Sequence, residues 1–387
     1  MFLFGGGKKT ERDSVIAVFD IASSSVGGLL FKKRKNQLPE ILSSVRQDVV
    51  FGETSDFSAR WRVFSEAFIA VAKNLKSDFS HTPDSVMCVF SCPWFTSQTK
   101  LVKIQREKNF QVKKDLIKTL IEEQSDLFKK QWRDSVFFER RLMKTLLNGY
   151  EVENSFDKFS RNIELYLYLS LGMSHIEENL EKEIYKYLGT DKIVFHSFPF
   201  VAFSVLREIL DTNEGFILAD IAGELTDILL MRDGIIEEVN CFNKGENFFI
   251  RRLASAVNID FTEAKAVFRQ YQRAELTSEK SLKVGNVLKL ATDEWGKSLE
   301  ELLKKMSSDR LLPQNFYFCG SAGSLNEITK HVSSGDFSSF TVLSKPFAVS
   351  LLEPSIFKDS FEFTKGFSDN KDISLLMSSF FANKFVK

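Results

Sequence analysis

An α/β fold of two lobes facing a cleft is predicted by three segments of the chain. VIAVFDIASSSVGGLLF (15–31) and GFILADIAGELTDILLM (215–231) each run through apolar residues to an aspartate, Asp20 or Asp220, turn through small residues and continue as a second apolar run. That is the pattern of a β-hairpin whose turn presents a carboxylate and free backbone N–H groups. NFYFCGSAGSLNEI (315–328) adds a strand, a Gly-x-x-Gly turn at Gly320 and Gly323, and a helix start. Two such hairpins facing each other could hold the phosphates and Mg²⁺ of a nucleotide.

The first hairpin's strands, 15–21 and 26–32, are followed by a strand region in PEILSSVRQDVVF and an amphipathic helix over 58–78. In that helix Phe64, Phe68, Val71, Ala72 and Leu75 recur at spacings of three and four. Residues 83–95 read as a new strand with Pro83 marking its boundary, 99–105 as its partner, and 112–132 as a helix striped by Leu116, Leu120, Ile121 and Leu127. Asn148-Gly149 predicts a tight hairpin within 135–152, and the alternation of NIELYLYLSLG (162–172) predicts another strand. These elements make residues 84–172 an inserted α+β subdomain. A helix over 174–189, capped by Ser174 and stopped by Gly189, a strand in KIVFHSF and a helix with Pro199 in its first turn then lead to the second hairpin. Helices over 246–258, 260–276 and about 284–306 follow, with a closing segment 346–387. The organisation expected is a first lobe of 1–83 and 173–210 and a second lobe of 211–387 that contains a small helical subdomain at about 246–310. No sequence repeat is evident, although two similar hairpins in two halves are what a duplicated fold leaves behind.

Composition narrows the function. The 387 residues are 43% hydrophobic, enough for several cores, and the 52 basic residues balance 52 acidic ones. No net field attracts nucleic acid or an anionic membrane, and the 39 phenylalanines lie on apolar faces and are not interleaved with basic stripes. Nucleic acid is therefore not an expected partner. Cys88, Cys92, Cys241 and Cys319 sit in or beside apolar runs with no close CxxC pair, which predicts a reduced, cytoplasmic setting without a zinc site. Cys88 and Cys92 are expected as core thiols on one strand face. No run of 18 apolar residues predicts a transmembrane helix, and the leader MFLFGGGKKTER is too short in apolar residues for a signal peptide. The apolar residues of DISLLMSSFFANKFVK surround most of a helical wheel, so that segment is expected to be a buried last helix and not an interfacial one.

The order of first hairpin, insertion, second hairpin and late glycine turn resembles the actin-like ATPase superfamily. With the insertion located between residues 83 and 172, the chain is similar above all to its FtsA/PilM-like members, and IELYLYLSLGMSHIEENLEKEIYKYLG looks like the family's passage out of the insertion. DFTEAKAVFRQY looks like the family helix that lies near the nucleotide. The resemblance implies ATP and Mg²⁺ as ligands: Asp20 and Asp220 holding Mg²⁺ through water, Ser23, Ser24, Ser25, Gly223 and Thr226 at the phosphates, and Gly320, Ser321 and Gly323 at the adenosine. Each also has a plain reading, the aspartates as turn residues bonding their own backbone, the serines and glycines as ordinary turns. The chain departs from the family pattern at Ala22, where a glycine is usual, at Glu224 near the phosphates, at Lys265 in place of a glutamate and at Phe268 in place of a lysine. No catalytic group is identified, and activity is expected to be at most a weak ATPase.

The resemblance further implies a nucleotide-binding scaffold acting in cell division by protein assembly at the cytoplasmic membrane face. A PilM-like scaffold of type IV pilus assembly is the alternative, and a sugar-kinase-type enzyme a more distant one. The partners implied are an FtsZ-like or pilus-assembly protein and further copies of the chain, with peripheral contact at the inner membrane face left open.

Overall fold

The computed structural model describes residues 13–49, 57–79, 81–210, 214–320, 322–364 and 372–386. The chain opens with β1 (Ser14–Ile21), β2 (Ser25–Lys33), β3 (Glu40–Asp48), α1 (Phe57–Asp78) and β4 (Ser85–Phe90). Next come β5 (Phe95–Gln111), α2 (Lys114–Lys130), β6 (Ser135–Leu147), β7 (Tyr150–Glu151) and β8 (Phe159–Met173). The connection to the second half is α3 (Ser174–Leu188), β9 (Ile193–Ser197) and α4 (Phe198–Ile209). That half holds β10 (Phe216–Ile221), β11 (Thr226–Arg232), β12 (Ile235–Phe242), α5 (Glu246–Val257), α6 (Phe261–Gln272), α7 (Ser278–Met306), β13 (Asn315–Gly320) and α8 (Ala322–Ser334). It closes with β14 (Ala348–Leu351), β15 (Glu362–Phe363) and α9 (Ile373–Phe385).

The strands form two large sheets and one smaller one, ordered β15-β3-β2-β1-β4-β9, β12-β11-β10-β13-β14 and β5-β8-β6-β7. The first two repeat one plan. In each, an antiparallel hairpin and a third antiparallel strand lie to one side, and two parallel strands lie to the other. The duplication foreseen from the two hairpins is therefore structural. It also explains β12, a strand not anticipated from IIEEVNCF: it is the counterpart of β3.

Period-two alternation decides what each sheet face meets. Ala17, Phe19 and Ile21 of β1 point into a core shared with α1 and α3, while Ile16 and Val18 point to the other side. There they join Phe200, Val201, Phe203 and Leu206 of α4, Leu375, Leu376, Met377 and Phe381 of α9, and Leu218 of β10 in a core between the two sheets. The other face of β10, through Ile217, Ala219 and Ile221, packs on the helices α5 to α8. The closing helix is buried as expected. It packs against β1, β2 and α4, and β15 pairs with β3, so this part of the assumed second lobe returns to the first sheet.

Two local readings change. Ser174 is the first residue of α3 and not its cap, since the capping position is Met173 with no side-chain bond, whereas Gly189 does end the helix at φ 74°. Residues 85–90, assigned above to the insertion, pair with β1 and β9 in the first sheet, so the separate sheet starts at β5. The Asn148-Gly149 turn is present with φ 51° and 86°, both in the left-handed region that this turn needs.

The small sheet is fastened to the first lobe by packing and by one buried carboxylate. Phe138 of β6 stacks on both Phe90 of β4 and Phe195 of β9, and lies where a Cβ on Gly172 would come within 1.9 Å of its ring. Next to it Glu139 accepts from the Ser197 N–H at 3.0 Å and the Ser197 hydroxyl at 2.8 Å, pairs with His196 Nδ1 at 2.9 Å, and bonds Ser170. A buried donor that loses its acceptor bears its whole desolvation cost. We expect Glu139→Ala to destabilise the protein by about 3 kcal/mol in urea unfolding, and Glu151→Ala, whose carboxylate is exposed, by less than about 1 kcal/mol. Equal effects would mean that the buried network does not anchor the sheet.

Candidate functional site

The ends of β1 and β10 bring the two predicted hairpin turns together. A cavity of about 260 Å³ is lined from the first sheet by Asp20, Ser24, Ser25 and Arg46 and from the second by Asp220, Gly223 and Gly320, with Lys265 of α6 and Asp372 also on its wall. The turns share one construction: Ala22 N–H donates to the Ser25 carbonyl at 3.1 Å, and Ala222 N–H donates to the Leu225 carbonyl at 3.0 Å. Alanine thus serves at both positions without a left-handed residue, and Trp94 braces the first turn by donating its indole N–H to the Ala22 carbonyl.

Buried acid dominates the site. Asp20, Asp220 and Asp227 are 2%, 5% and 4% exposed. Desolvation pushes the Asp220 carboxyl up to about 8, with Asp227 and Asp20 adding repulsion, and pushes Asp227 up to about 7. Asp20 is likewise raised by burial, against the opposing pull of Arg46. Its Oδ2 accepts from Arg46 at 2.6 Å, whereas its Oδ1 has no hydrogen-bond partner among the described residues.

Arg46 was not foreseen. Asp20, Gly27 and Arg46 lie opposite one another across β1, β2 and β3, and a Cβ on Gly27 would sit 2.7 Å from the guanidinium. The missing side chain lets Arg46 lie across the sheet, where it donates to Asp20, to Ser25 Oγ at 2.8 Å and to both oxygens of Asp372 at 2.5 and 3.0 Å. Burial opposes its charge, but Asp372 and Asp20 outweigh that and hold the guanidinium protonated. The available signal was an arginine in the strand beside the Asp20 hairpin. Asp372, the N-cap of α9, was hidden in the closing segment.

The remaining predicted residues divide. Ser24 and Ser25 line the cavity, whereas Ser23 is buried and its Oγ accepts the Glu224 N–H at 2.9 Å across the two lobes. Gly223 lies flush on Ser24, where a Cβ would fall 1.4 Å from the serine hydroxyl. Thr226 is fully buried, donating to the Lys244 carbonyl at 2.7 Å and accepting from the Trp295 indole at 3.1 Å, and does not line the cavity. Gly320 has φ 123° and passes so close to β10 that a Cβ would meet the Ile221 carbonyl at 2.2 Å. Gly323 falls in the first turn of α8, and Ser321 lies outside the described residues.

The departures from the family pattern also have partners. The Glu224 carboxylate is neutralised by Arg251 at 2.8 Å and accepts from the Asn247 amide at 2.8 Å, and against burial these hold it below its ordinary range. Lys265 reaches Asp48 at 2.7 Å across the cleft, and Phe268 belongs to the core under the second sheet.

These groups fit a hydrated cation, since Asp20, whose Oδ1 has no partner among the described residues, lines the cavity with Asp220. They fit phosphates less well: the Glu224 N–H is already bonded, the two turns touch, and the cavity is below the ~300–1,000 Å³ usual for small-molecule sites.

No protein-family profile and no curated protein sequence matches the chain. Solved structures do. PilM, in a PilM–PilN type IV pilus biogenesis complex, superposes with a TM-score of 0.64 at 13% identity over 96% of this chain and 98% of its own. The ethanolamine utilization protein EutJ from Carboxydothermus hydrogenoformans gives 0.46 at 12% identity over 89% and 86%. At 13% identity the likeness to PilM is one of architecture, and with the duplicated sheets and facing turns above it shows that the chain has an actin-like fold.

Proposed function

We propose that this protein is an actin-like scaffold that takes Mg·ATP weakly in the cleft between its hairpin turns and works by docking other proteins, with pilus assembly of the PilM kind as its setting. The observation that carries the reading is the unpartnered Oδ1 of Asp20 beside a second buried carboxylate, Asp220, in a cleft whose turns already bond each other. A cation is wanted there. Phosphates enter only when the Ser23–Glu224 contact opens, and that cost lowers affinity. Asp20 and Asp220 hold the hydrated Mg²⁺, Ser24, Ser25 and Gly223 meet the phosphates, and Gly320 receives the adenosine against bare backbone. When bound, the ion neutralises phosphate and buried carboxylate together. Thr226, with both hydroxyl bonds committed, supports the turn and does not touch phosphate. Binding, not turnover, is the output.

The docking surface in this reading is the small sheet with α2, which contributes no wall to the cleft. PilM is found in complex with PilN, and full-length coverage of that fold favours a pilus-type partner over an FtsZ-like one.

Three measurements test this. Calorimetry on the purified protein is expected to show Mg-dependent ATP binding that falls about tenfold, or ~1.4 kcal/mol, in Asp20→Asn and in Asp220→Asn. No heat at millimolar ATP with folded protein would refute the site. A second test uses pH. Because Asp220 and Asp227 titrate near 8 and 7 when folded and near 3.8 when unfolded, the folded state holds protons that the unfolded chain has released. Stability should therefore fall as pH rises from about 4 to about 8 and then level off. Asp220→Asn should flatten that slope, and an unchanged slope would show that Asp220 is ordinary. Thirdly, replacing 95–173 with a Gly/Ser linker should preserve ATP binding and abolish co-purification of a PilN-like partner. Loss of both in a folded variant, or capture of an FtsZ-like protein by the intact chain alone, goes against the proposal.

A further inference from the structure

We infer that Cys92, Asp227 and Cys241 form a binding site for a thiophilic divalent cation of the zinc class, joining the first lobe to the second sheet. Each offers one ligand atom, and the three atoms lie within 4.8 Å of one another. Tetrahedral zinc, with sulfur at about 2.3 Å and oxygen at about 2.0–2.2 Å, spaces its ligands by about 3.5–3.8 Å, so the side chains need only rotate inward slightly. Three protein ligands leave the fourth position to water.

The backbone sets this triad. Asp227 of β11 and Cys241 of β12 are directly opposite in the antiparallel ladder, so their side chains share a sheet face. Cys92 comes from the other lobe: β4 ends at Phe90, and the chain then turns so that the Cys92 N–H donates to Asp227 Oδ2 at 3.0 Å. Asp227, which the Cys92 thiol also approaches, keeps one oxygen without a partner among the described residues. That oxygen, the buried Oδ1, is an uncompensated acceptor that a cation would satisfy. Cys241 is exposed on an edge strand and gives an ion access from solvent.

The chemistry separates this site from the cleft. Two thiolates and a carboxylate select zinc over magnesium, whereas the all-oxygen site at Asp20 and Asp220 has the opposite preference. Binding displaces to solvent the two thiol protons and any proton on the Asp227 carboxyl, leaving two thiolates and a carboxylate as ligands. Because the ligands come from both lobes, the ion would hold the strand exit of the first against the hairpin of the second. The sequence reading expected no zinc site and placed Cys92 with Cys88 on a strand; Cys92 instead lies beyond the end of that strand. Nothing in this inference depends on the nucleotide reading.

The test uses the full-length protein, reduced and stripped of metal. Zn²⁺ competition against a chromophoric chelator should show one equivalent bound, and Co²⁺ should give a thiolate charge-transfer absorption band. Loss of a supporting partner of a metal ligand already weakens binding about 10–100-fold. Cys241→Ser, on an exposed edge where folding is safe, should therefore weaken Zn²⁺ binding at least tenfold and remove the band. Cys88→Ser should leave both unchanged if it folds. A folded, reduced protein with no thiolate band would overturn the inference, as would a band that survives in Cys241→Ser. So would a protein isolated with Cys92 linked to Cys241 as a disulfide that takes up no Zn²⁺ after reduction.

Discussion

The structure is organised around negative charge that it buries at the ends of its central strands. Asp20, Asp220 and Asp227 are each nearly inaccessible to water, and carboxylates so placed are stable only when protonated or matched by a cation. The chain supplies one such cation itself. Arg46 reaches Asp20 and is held on its other side by Asp372, which draws the start of α9 to the cleft. The same aspartate caps α9 by accepting the Leu375 N–H. The placement of the last helix against β1 and β2 is thus joined to the electrostatics of the cleft as well as to the apolar core beneath it.

Comparison of the two halves shows how one plan is used differently. Across the first sheet the row is Asp20, Gly27, Arg46; across the second it is Asp220, Asp227, Cys241. Where the first half has glycine and a reaching arginine, the second has another acid and a thiol. The first row compensates part of its own charge, through one oxygen of Asp20. In the second, burial raises both carboxyls far above the ordinary range, with Asp227 and Asp20 repelling Asp220, and the polar partners at hand are thiols and a backbone N–H. The demand for an external cation is concentrated in the second half.

The sequence made the hairpins, the main helices and the turn at Asn148-Gly149 legible because each is written locally, in period-two or period-three-and-four apolar patterns and in turn chemistry. What it concealed was tertiary. IIEEVNCF carries acid residues on a strand whose partner lies next to it, so its alternation is weak. The assignment of β4 to the insertion failed because a strand's sheet is decided by its neighbours: Val86 to Phe90 are buried on both faces between β1 and β9, and an apolar run alone does not name them. For the cleft, Asp20, Asp220, Ser24, Ser25, Gly223 and Gly320 could be named from the turns. Arg46 and Asp372 could not, since they meet across 326 residues of chain.

The contacts between the turns bear on how such a cleft can work. Ser23 and Glu224 join the lobes through one hydrogen bond, Ser24 rests on Gly223, and Lys265 pairs with Asp48 at the mouth. An exposed ion pair of this kind contributes little, and a single hydrogen bond contributes about 1 kcal/mol. The closed front is inexpensive to open contact by contact, with the buried Cys92–Asp227 bond as a further cost. The apolar layer formed by α4 and α9 between the two sheets is not, because separating it would expose many large side chains at once. Admitting a ligand between the turns would therefore mean breaking these front contacts while that layer stays packed.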